Sequence, residues 1–297
     1  MTTVLKTRLP LIQGALAQIS TAGLVVAVSK AGGLGVLTTT GLDEDGLAAQ
    51  IAAVRTQTAA PFAVNLMLQQ ANIPELLAYL LAHPVPVVTT SAGSPKRFVT
   101  QLQAVGTQVV AVIPSVKVAQ KMAALGVDAL VAEGMESGGH IGTLTTMALV
   151  QQVTAAVDVP VFAAGGIYDV AGVRAAEALG AVGVQVGTAF LAAEETPISP
   201  AYQQALVAAS DTSTVVTGHA LGDAVRCLHN PLTDAYFAAE QQGATPEDLH
   251  ALLDGSLAKA IAGDVTHGTL MAGQIAGRIA KIEPVAAIVQ RLYPDER

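Results

Sequence analysis

One histidine of this chain, His140, lies in a glycine-rich segment with the sequence EGMESGGHIG (residues 133–142). An apolar run at 127–132 precedes the segment and a helical pattern begins near Thr145, which is typical of a turn between a buried strand and a helix. Glycine allows the backbone to approach a ligand that a Cβ atom would hold away, and an imidazole donates or accepts a proton near neutral pH. The pattern fits either a tight turn with a solvated histidine or an acid–base site.

Two glycine turns further along the chain favour a site. Ala164-Gly165-Gly166 follows an apolar run at 159–163, and Gly187-Thr188 follows another at 183–186. Backbone N–H groups in such turns bind anions without requiring Lys or Arg. In a (β/α)8 barrel, phosphate is commonly held after strands seven and eight, which is where these turns fall. They therefore predict a phosphorylated substrate or a cofactor such as FMN.

Polar residues end other apolar runs. Asn65 lies within the run 62–66, where an amide is costly unless it is hydrogen-bonded. Gln13 ends the first run, Thr89 the fourth, and Glu133 the sixth. Each alone fits a satisfied core group, whereas several polar groups that converge on one mouth are better explained by a ligand.

Other cofactor and metal motifs are missing from the sequence. No GxGxxG follows a predicted strand, and no His or Cys pair has the spacing of zinc ligands. We therefore expect neither a Rossmann module nor a metal site.

Eight apolar runs alternate with alanine-rich helical stretches. The predicted strands are 9–12, 34–37, 62–66, 85–89, 108–113, 129–132, 159–163 and 183–186, and the predicted helices include 46–56, 95–105, 116–125, 146–157 and 170–179. Continuous apolar strands indicate a parallel sheet that is covered on both faces. Eight strand–helix units favour an α/β fold of the (β/α)8 TIM-barrel type over a doubly wound open sheet. We expect an FMN-binding barrel at 1–192, a helical insertion or cap at 193–264, and a closing barrel helix within 265–297.

The composition fits a large buried core. Of the 297 residues, 52% are hydrophobic and 13% are charged, which argues against disorder. The single cysteine excludes an internal disulfide and a four-cysteine iron–sulfur cluster, and the net charge of −8 argues against nucleic-acid binding. No apolar run reaches membrane length, and the first residues lack a secretory pattern. We expect a soluble, cytoplasmic homodimer that binds neither nucleic acid nor membrane.

Several segments together resemble one enzyme family. The segment 133–142, with Thr-Thr-Met at 145–147, is similar to the signature of the FMN-dependent enoyl-[acyl-carrier-protein] reductase II family, which is grouped with the nitronate monooxygenases (2-nitropropane dioxygenases). Stretches at 28–35, 61–68, 112–116, 218–230 and 269–274 resemble the family as well. Gly-Gly-His, the Asn of the third strand and the glycine turns are shared with the monooxygenases. The Glu-Gly-Met start, the Thr-Thr-Met continuation and Pro-Ser-Val at 114–116 look more like the reductases.

The chain departs from the family pattern at three places. Ala15-Leu16 stands where Gly-Met is usual, Ser137 replaces an alanine, and Thr143 replaces a common lysine. The first departure affects the approach to the flavin ring, which backbone contact could still provide. The third removes one positive charge that would favour an acidic partner.

The residue patterns and the resemblance together imply a set of FMN contacts. The set comprises Gln13, Gly14, Ala15, Asn65, Thr89, Glu133, Gly138, Gly139, Ala164, Gly165, Gly166, Gln185, Val186, Gly187, Thr188, Met271, Gly273 and Gln274. The family is often stimulated by monovalent cations, for which the sequence shows no particular site.

The resemblance implies a two-step reaction. NADH or NADPH gives a hydride to FMN, and a trans-2-enoyl thioester on acyl carrier protein then takes a hydride at Cβ and a proton at Cα. His140 is expected to stabilise the developing enolate oxygen or to donate the proton. The leading alternative is a nitronate monooxygenase, in which the same histidine acts as a base on a nitroalkane and O2 reoxidises the flavin. An alternative of another class is a non-catalytic FMN-binding protein.

An acidic carrier protein requires a local positive patch, because a chain of net charge −8 repels it at long range. Lys96 and Arg97 follow the fourth predicted strand, and Lys117 and Lys121 follow the fifth. We expect these residues to form the patch and Arg226, in the cap, to complete it. The alternative is a set of ordinary solvated charges.

Overall fold

A computed structural model describes residues 4–294, in which eleven strands form two sheets. In chain order the strands are β1 (Leu11–Gln13), β2 (Gly35–Thr38), β3 (Phe62–Met67), β4 (Val87–Ser91), β5 (Gln108–Ile113), β6 (Ala129–Glu133), β7 (Gly139–His140), β8 (Val161–Ala164), β9 (Gly183–Val186), β10 (Thr214–Thr217) and β11 (Val225–Leu228). Eight of them are parallel and lie in the order β1-β9-β8-β6-β5-β4-β3-β2. A parallel bridge between Ile12 and Leu34 joins β1 to the start of β2. This ring confirms the predicted barrel and not the open sheet.

Helices connect the barrel strands and cover the outside of the ring. The α-helices are α1 (Ala22–Lys30), α2 (Glu44–Gln57), α3 (Ile73–Ala82), α4 (Val99–Ala104), α5 (Val116–Ala124), α6 (Thr146–Thr154), α7 (Val170–Ala178), α8 (Thr188–Leu191), α9 (Pro200–Val207), α10 (Pro231–Gln241), α11 (Pro246–Leu253), α12 (Ser256–Ala262) and α13 (Val285–Leu292). Short 3-10 helices lie at Pro95–Arg97, His219–Leu221 and Gln274–Arg278. Aspartates fix the starts of α2 and α7: Asp43 accepts from the Gly46 N–H, and Asp169 from the Ala171 and Gly172 N–H groups.

Apolar side chains fill the barrel on both sides of its strands. The interior cluster includes Ile12, Leu34, Val36, Ala63, Val87, Val110, Ala129, Val131, Phe162 and Ala164. A larger cluster between strands and helices includes Leu24, Leu66, Val88, Leu130, Val153 and Val184. Because both faces are covered, the barrel strands are mostly apolar and do not alternate, with polar residues such as Asn65, Thr89 and Glu133 toward their carboxyl ends. Their positions were therefore predictable, and every strand end lies within two residues of its predicted place.

The chain after β9 builds a cap over one side of the barrel mouth. It contains α9 to α12, and also a β-hairpin, β10–β11, that the sequence analysis did not predict. β11 pairs antiparallel with β7, so the histidine segment belongs to the cap's sheet. A separate apolar cluster that includes Tyr202, Leu206, Leu228 and Leu270 packs the cap.

The last part of the chain is less helical than predicted. Of the segment 265–297, the only α-helix in the described residues is α13, which packs against α1 and α7 on the barrel's outside. The residues around 269–274 instead pass beside the barrel mouth. No helix within residues 4–294 is long and apolar enough to cross a membrane.

Candidate active site

A cavity of about 670 Å³ opens at the carboxyl ends of the barrel strands. Strand ends and the loops that follow them form most of its wall, and the cap contributes Leu257 of α12. Barrel enzymes carry their active sites at this end. The predicted site residues can therefore be judged by whether they reach this cavity.

His140 lines the cavity from β7, where it pairs with Val225 of β11. Its ring Nε2 lies 3.4 Å from Asp223 Oδ1, and the two side chains are 57% and 52% exposed. The imidazole is therefore held between the barrel and the cap, with one nitrogen directed at a carboxylate and solvent access for proton exchange. The contact orients the ring without removing it from water.

Close packing requires the two glycines before His140. A Cβ at Gly138 would lie 2.7 Å from the Ala272 carbonyl carbon, and Gly139 has a φ of +76° that favours glycine. The segment that presses against this loop is held by the Gly273 N–H, which donates to Thr188 Oγ1 at 2.9 Å. Glycine therefore lets the histidine loop and the 269–274 segment lie against each other.

Glu136 ties the beginning of the loop to its end. Its carboxylate accepts hydrogen bonds from the Thr146 N–H, at 2.9 and 3.0 Å, and from the Thr146 hydroxyl, at 2.8 Å. A carboxylate at the first turn of α6 also interacts favourably with the helix dipole. The Met135 N–H donates to Leu144 O at 2.8 Å. These contacts make residues 133–146 one closed loop beneath His140.

Glu133, at the end of β6, is the second carboxylate that lines the cavity. Burial raises its pKa from 4.5 to about 7, and a hydrogen bond from the Ser137 hydroxyl partly offsets that rise. Ser137, where the family usually has alanine, thus has a defined role in this chain. A carboxyl group that titrates near neutrality is suited to exchanging protons at the cavity wall.

The two glycine turns form an open cradle at the ends of β8 and β9. Gly165 and Gly166 have φ values of +105° and +72°. A Cβ at Gly165 would lie 2.5 Å from Thr146 Oγ1, whereas one at Gly166 would have no described neighbour nearer than 3.7 Å. Gly166 and Gly187 therefore leave room in the cavity that a side chain would fill. This space beside the backbone fits a phosphate group.

Polar groups on the opposite wall are paired with each other at the cavity surface. Asn65 Oδ1 accepts from the Thr89 hydroxyl at 2.9 Å, and Asn65 Nδ2 donates to Ser91 Oγ at 3.3 Å. Asn65 is 5% exposed. The Asn65 amide is thus hydrogen-bonded within the protein and also faces the cavity. It fits both interpretations of its position, a satisfied core group and a ligand contact.

The structure brings most of the predicted site residues to this one cavity. The predicted residues that line it are Gly14, Ala15, Asn65, Thr89, Glu133, Gly138, Gly139, His140, Ala164, Gly165, Gly166, Gln185, Val186, Gly187, Thr188 and Met271. They come from six barrel strands, from the loops that follow these strands and from the segment after the cap. Their convergence could be anticipated because parallel strands end at one edge.

Three predicted contacts do not reach the cavity. Gln13 is fully buried, and its amide bonds to Ser20 Oγ at 2.9 Å and to the Val36 N–H at 3.1 Å, so it joins β1 to β2. Gly273 and Gln274 lie behind the histidine loop, where the Gln274 N–H donates to Glu136 O at 2.9 Å. All three support residues that line the cavity.

The cavity also contains residues that sequence reasoning missed. Ile275 and Leu257 contribute apolar surface from the end of the chain and from the cap. Asp223 faces His140 from a position 83 residues further along the chain. No local pattern marks such residues, because their positions depend on how the cap docks. Among residues 4–294, no cluster of His, Cys, Asp and Glu is arranged to hold a metal ion.

The structure separates Arg226 from the other four residues of the predicted basic patch. Lys96, Arg97 and Lys117 are exposed, while Lys121 is both exposed and part of the cavity lining. Arg226 is 4% exposed, and its Nε donates to Met135 O at 2.9 Å. Arg226 therefore supports the histidine loop, and its predicted place in a surface patch is wrong. The sequence analysis did not predict strand β11, so it could not predict that Arg226 is buried there.

Comparisons with known proteins agree with this architecture. The family model for nitronate monooxygenase matches residues 1–80 and 74–295. A nitronate monooxygenase from Pseudomonas aeruginosa is 33% identical, over 97% of this chain and 96% of that protein. The solved structure of FabK from Thermotoga maritima is 40% identical, covers 99% of this chain and 94% of its own, and superposes with a TM-score of 0.96.

A further relative acts on a coenzyme A thioester, according to its name. It is the (3aS,4S,5R,7aS)-5-hydroxy-7a-methyl-1-oxo-octahydro-1H-indene-4-carboxyl-CoA dehydrogenase of Rhodococcus jostii, 33% identical over 76% of this chain. The matched region spans only 64% of that dehydrogenase. The fold, the cavity and the matches define an oxidoreductase of barrel architecture. The chain belongs to the nitronate monooxygenase family.

Proposed function

We propose that this protein is an FMN-dependent reductase of trans-2-enoyl thioesters carried on acyl carrier protein, a reaction of fatty acid synthesis. The observation that carries the proposal is the likeness to FabK of Thermotoga maritima, which extends over 99% of the chain at 40% identity. The reductase-like Glu-Gly-Met and Thr-Thr-Met sequences support it, since they form the closed loop under His140. The net reaction converts the enoyl thioester, NADH (or NADPH) and a proton into the saturated thioester and the oxidised nucleotide.

The residues at the cavity wall fit FMN. Gly165, Gly166 and Gly187 offer backbone N–H groups and open space for the phosphate. Gly14 has no side chain and Ala15 only a methyl group, which leaves space in the cavity for the flavin ring. The chemistry that bound FMN supplies is hydride transfer, from the nucleotide to Cβ of the thioester. The protein supplies orientation and a shielded cavity, since the cap and the 269–274 segment cover one side of the mouth.

His140 performs the proton chemistry in this proposal. An imidazole N–H donates a hydrogen bond to the thioester carbonyl, which gains negative charge as Cβ is reduced. The same group, or water that it orients, then delivers a proton to Cα. Asp223 contacts Nε2, so the donor to the substrate is the Nδ1–H of the imidazolium form, which carries a proton on both ring nitrogens. Glu133 lines the same cavity, and burial raises its pKa to about 7, which suits a group that exchanges protons near neutral pH.

An anaerobic assay tests the proposal. FMN-loaded protein is mixed with NADH or NADPH and crotonyl thioester, and nucleotide oxidation is compared with formation of the saturated product. The proposal predicts equal amounts of both. Nucleotide oxidation without saturated product, or no oxidation with either nucleotide, would contradict it.

Nitronate monooxygenase activity is the second candidate. The family model and the Pseudomonas aeruginosa relative favour it. In this reaction His140 would remove a proton from the carbon next to the nitro group. Oxygen consumption with a nitroalkane or its nitronate, without any enoyl reduction, would establish it. A non-catalytic FMN-binding protein would consume neither O2 nor NADH in these assays.

A further inference from the structure

Lys121 is an unpaired cation at the cavity wall. It is the only Lys or Arg among the described residues that line the cavity, and it lies on α5 beside Val118 and Met122, which line it too. No carboxylate within residues 4–294 lies within ion-pair distance of its ammonium group. In a chain of net charge −8, whose cavity already contains Glu133 and Glu136, a free cation favours anions locally.

Ser94 is a second and independent sign of a ligand on the same wall. It lies in the loop after β4 and lines the cavity. Its Oγ is buried and has no hydrogen-bond partner in the described structure, nor does it cap the helical turn that follows. A buried hydroxyl without a partner is unfavourable. As placed, the Oγ is closed off from the cavity, so a change of the Ser94 rotamer is what turns the hydroxyl toward a ligand atom that satisfies it. Lys121 and Ser94 belong to neighbouring strand–helix units, β5–α5 and β4–α4.

This wall lies across the barrel from the glycine cradle. In the ring order β9-β8-β6-β5-β4, four steps separate β9 from β4, which is half of an eight-stranded ring. Gly187 follows β9, whereas Ser94 follows β4. A flavin phosphate in the cradle therefore leaves Lys121 and Ser94 for a different molecule.

We propose that Lys121 and Ser94 form a second anion subsite, which binds a phosphate group of the co-substrate that enters above the flavin. This inference rests on the proposed reductase function, because nicotinamide nucleotides and phosphopantetheine thioesters both carry phosphates and nitronates carry none. The ammonium group pairs with the phosphate, and the Ser94 hydroxyl donates a hydrogen bond to it. The apolar Val118 and Met122 border the subsite and suit the uncharged part of such a ligand.

Calorimetric titration of the FMN-loaded protein tests the subsite without turnover. ADP-ribose represents the nucleotide, and coenzyme A represents the thioester carrier. Lys121→Gln removes the charge from the cavity, and Lys117→Gln removes an equal charge one helical turn away, outside it. We expect Lys121→Gln to weaken one of the two probes about tenfold, as the loss of a charge-assisted hydrogen bond does. Lys117→Gln should stay close to the wild type.

The two probes identify the source of the phosphate. A selective loss for coenzyme A assigns the subsite to the thioester, and a selective loss for ADP-ribose assigns it to the nucleotide. Equal losses in both lysine variants, no loss in either, or release of FMN from Lys121→Gln would overturn the proposal. Ser94→Ala should weaken the same probe by a smaller factor, and unchanged binding would remove the hydroxyl from the subsite.

A phosphate-free substrate separates this proposal from the proposed function. Crotonyl-N-acetylcysteamine carries the thioester without any phosphate, so a subsite for the thioester's phosphate predicts that Lys121→Gln raises the KM for crotonyl-coenzyme A more than the KM for this substrate. If the wild type fails to reduce it and crotonyl-coenzyme A alike, the reductase function is wrong. The calorimetric result then still decides whether the subsite binds phosphate.

Discussion

His140 is the residue on which the proposed chemistry depends most directly. It lines the cavity from β7, outside the two glycine turns that form the phosphate cradle, so its loss should spare flavin binding. His140→Ala is expected to retain FMN and its reduction by NADH, and to slow enoyl reduction by about 10²-fold or more, as expected for a positioned acid–base group. Stopped-flow absorbance separates the two half-reactions.

A second histidine provides the control. His219 is exposed in the turn between β10 and β11 and does not line the cavity, so His219→Ala should leave both half-reactions unchanged. Equal damage by His140→Ala to both half-reactions would show that the histidine is structural.

Glu133 should make the stability of the fold depend on pH. Its pKa is about 7 in the folded protein, against 4.5 in an unfolded chain, because burial disfavours the charged form. A raised carboxyl pKa contributes stability that is present below pH 4.5 and is lost as the pH rises through 7. The free energy of unfolding of the wild type, relative to Glu133→Gln, should fall by something on the order of 3 kcal/mol across that window.

Denaturant unfolding at saturating FMN, from pH 4.5 to 8, measures this difference. Glu177→Gln, which removes an exposed carboxyl from α7, reports the effect of the charge change alone. A constant difference between the wild type and Glu133→Gln across the range would mean that the carboxyl ionises as it does in water.

Single residues were predictable where strand position determined their place. His140, Glu133 and Asn65 follow or occupy barrel strands, and each lines the cavity as expected. Gln13 occupies an equivalent strand end, but its side chain turns inward and is hydrogen-bonded to Ser20 Oγ and to the Val36 N–H. Nothing in the sequence distinguishes a strand-end amide that faces the barrel core from one that faces the mouth.

At the scale of elements, the glycine turn after β8 gives a direct test of the phosphate cradle. Gly166 combines a φ of +72° with open space on its cavity side. Gly166→Val should abolish FMN retention, because the side chain fills the space that the phosphate needs. Absorbance at the flavin band after gel filtration measures the retained cofactor.

The strain of a positive φ must be separated from that filling of the cradle. Gly126, in the turn before β6, has a φ of +81°, and a Cβ atom there would meet nothing within 4 Å. Gly126→Val therefore imposes similar backbone strain far from the cavity and should retain FMN. Full flavin occupancy in Gly166→Val would show that the phosphate lies elsewhere.

Strands were predictable where they form continuous apolar runs. The barrel strands are continuous buried runs and could be placed closely, whereas α1 and α3 were not among the predicted helices. β7 has two residues and β10 and β11 have four each, so their pairing depends on contacts that are distant along the chain.

At the scale of the whole molecule, the net charge of −8 determines which surface an acidic carrier protein can approach. Lys96 is exposed next to the loop that lines the mouth, whereas Lys30 is exposed at the end of α1, which runs back to the opposite end of the barrel. Lys96→Glu should raise KM for the carrier-bound substrate several-fold at low salt, and less at high salt, because rim charges act mainly on encounter.

Lys30→Glu changes the net charge by the same amount and should leave that KM unchanged. Turnover of crotonyl-coenzyme A should be unaffected in both variants, because no carrier protein takes part. An equal rise in KM for both lysine variants would assign the effect to overall repulsion and would remove the docking surface from the mouth. The homodimer expected from the sequence stays a prediction.

The pairing of β7 with β11 limits how this protein can be recombined with its relatives. Gly139 and His140 form their strand only with Arg226 and Val225, and the Ile141 N–H donates to Ala224 O at 3.0 Å. A chimera that joined this barrel to a foreign cap would thus replace the backbone partners of its own histidine. Barrel and cap cannot be treated as interchangeable modules, and a successful graft would have to transfer residues 139–141 and 224–226 together from one parent.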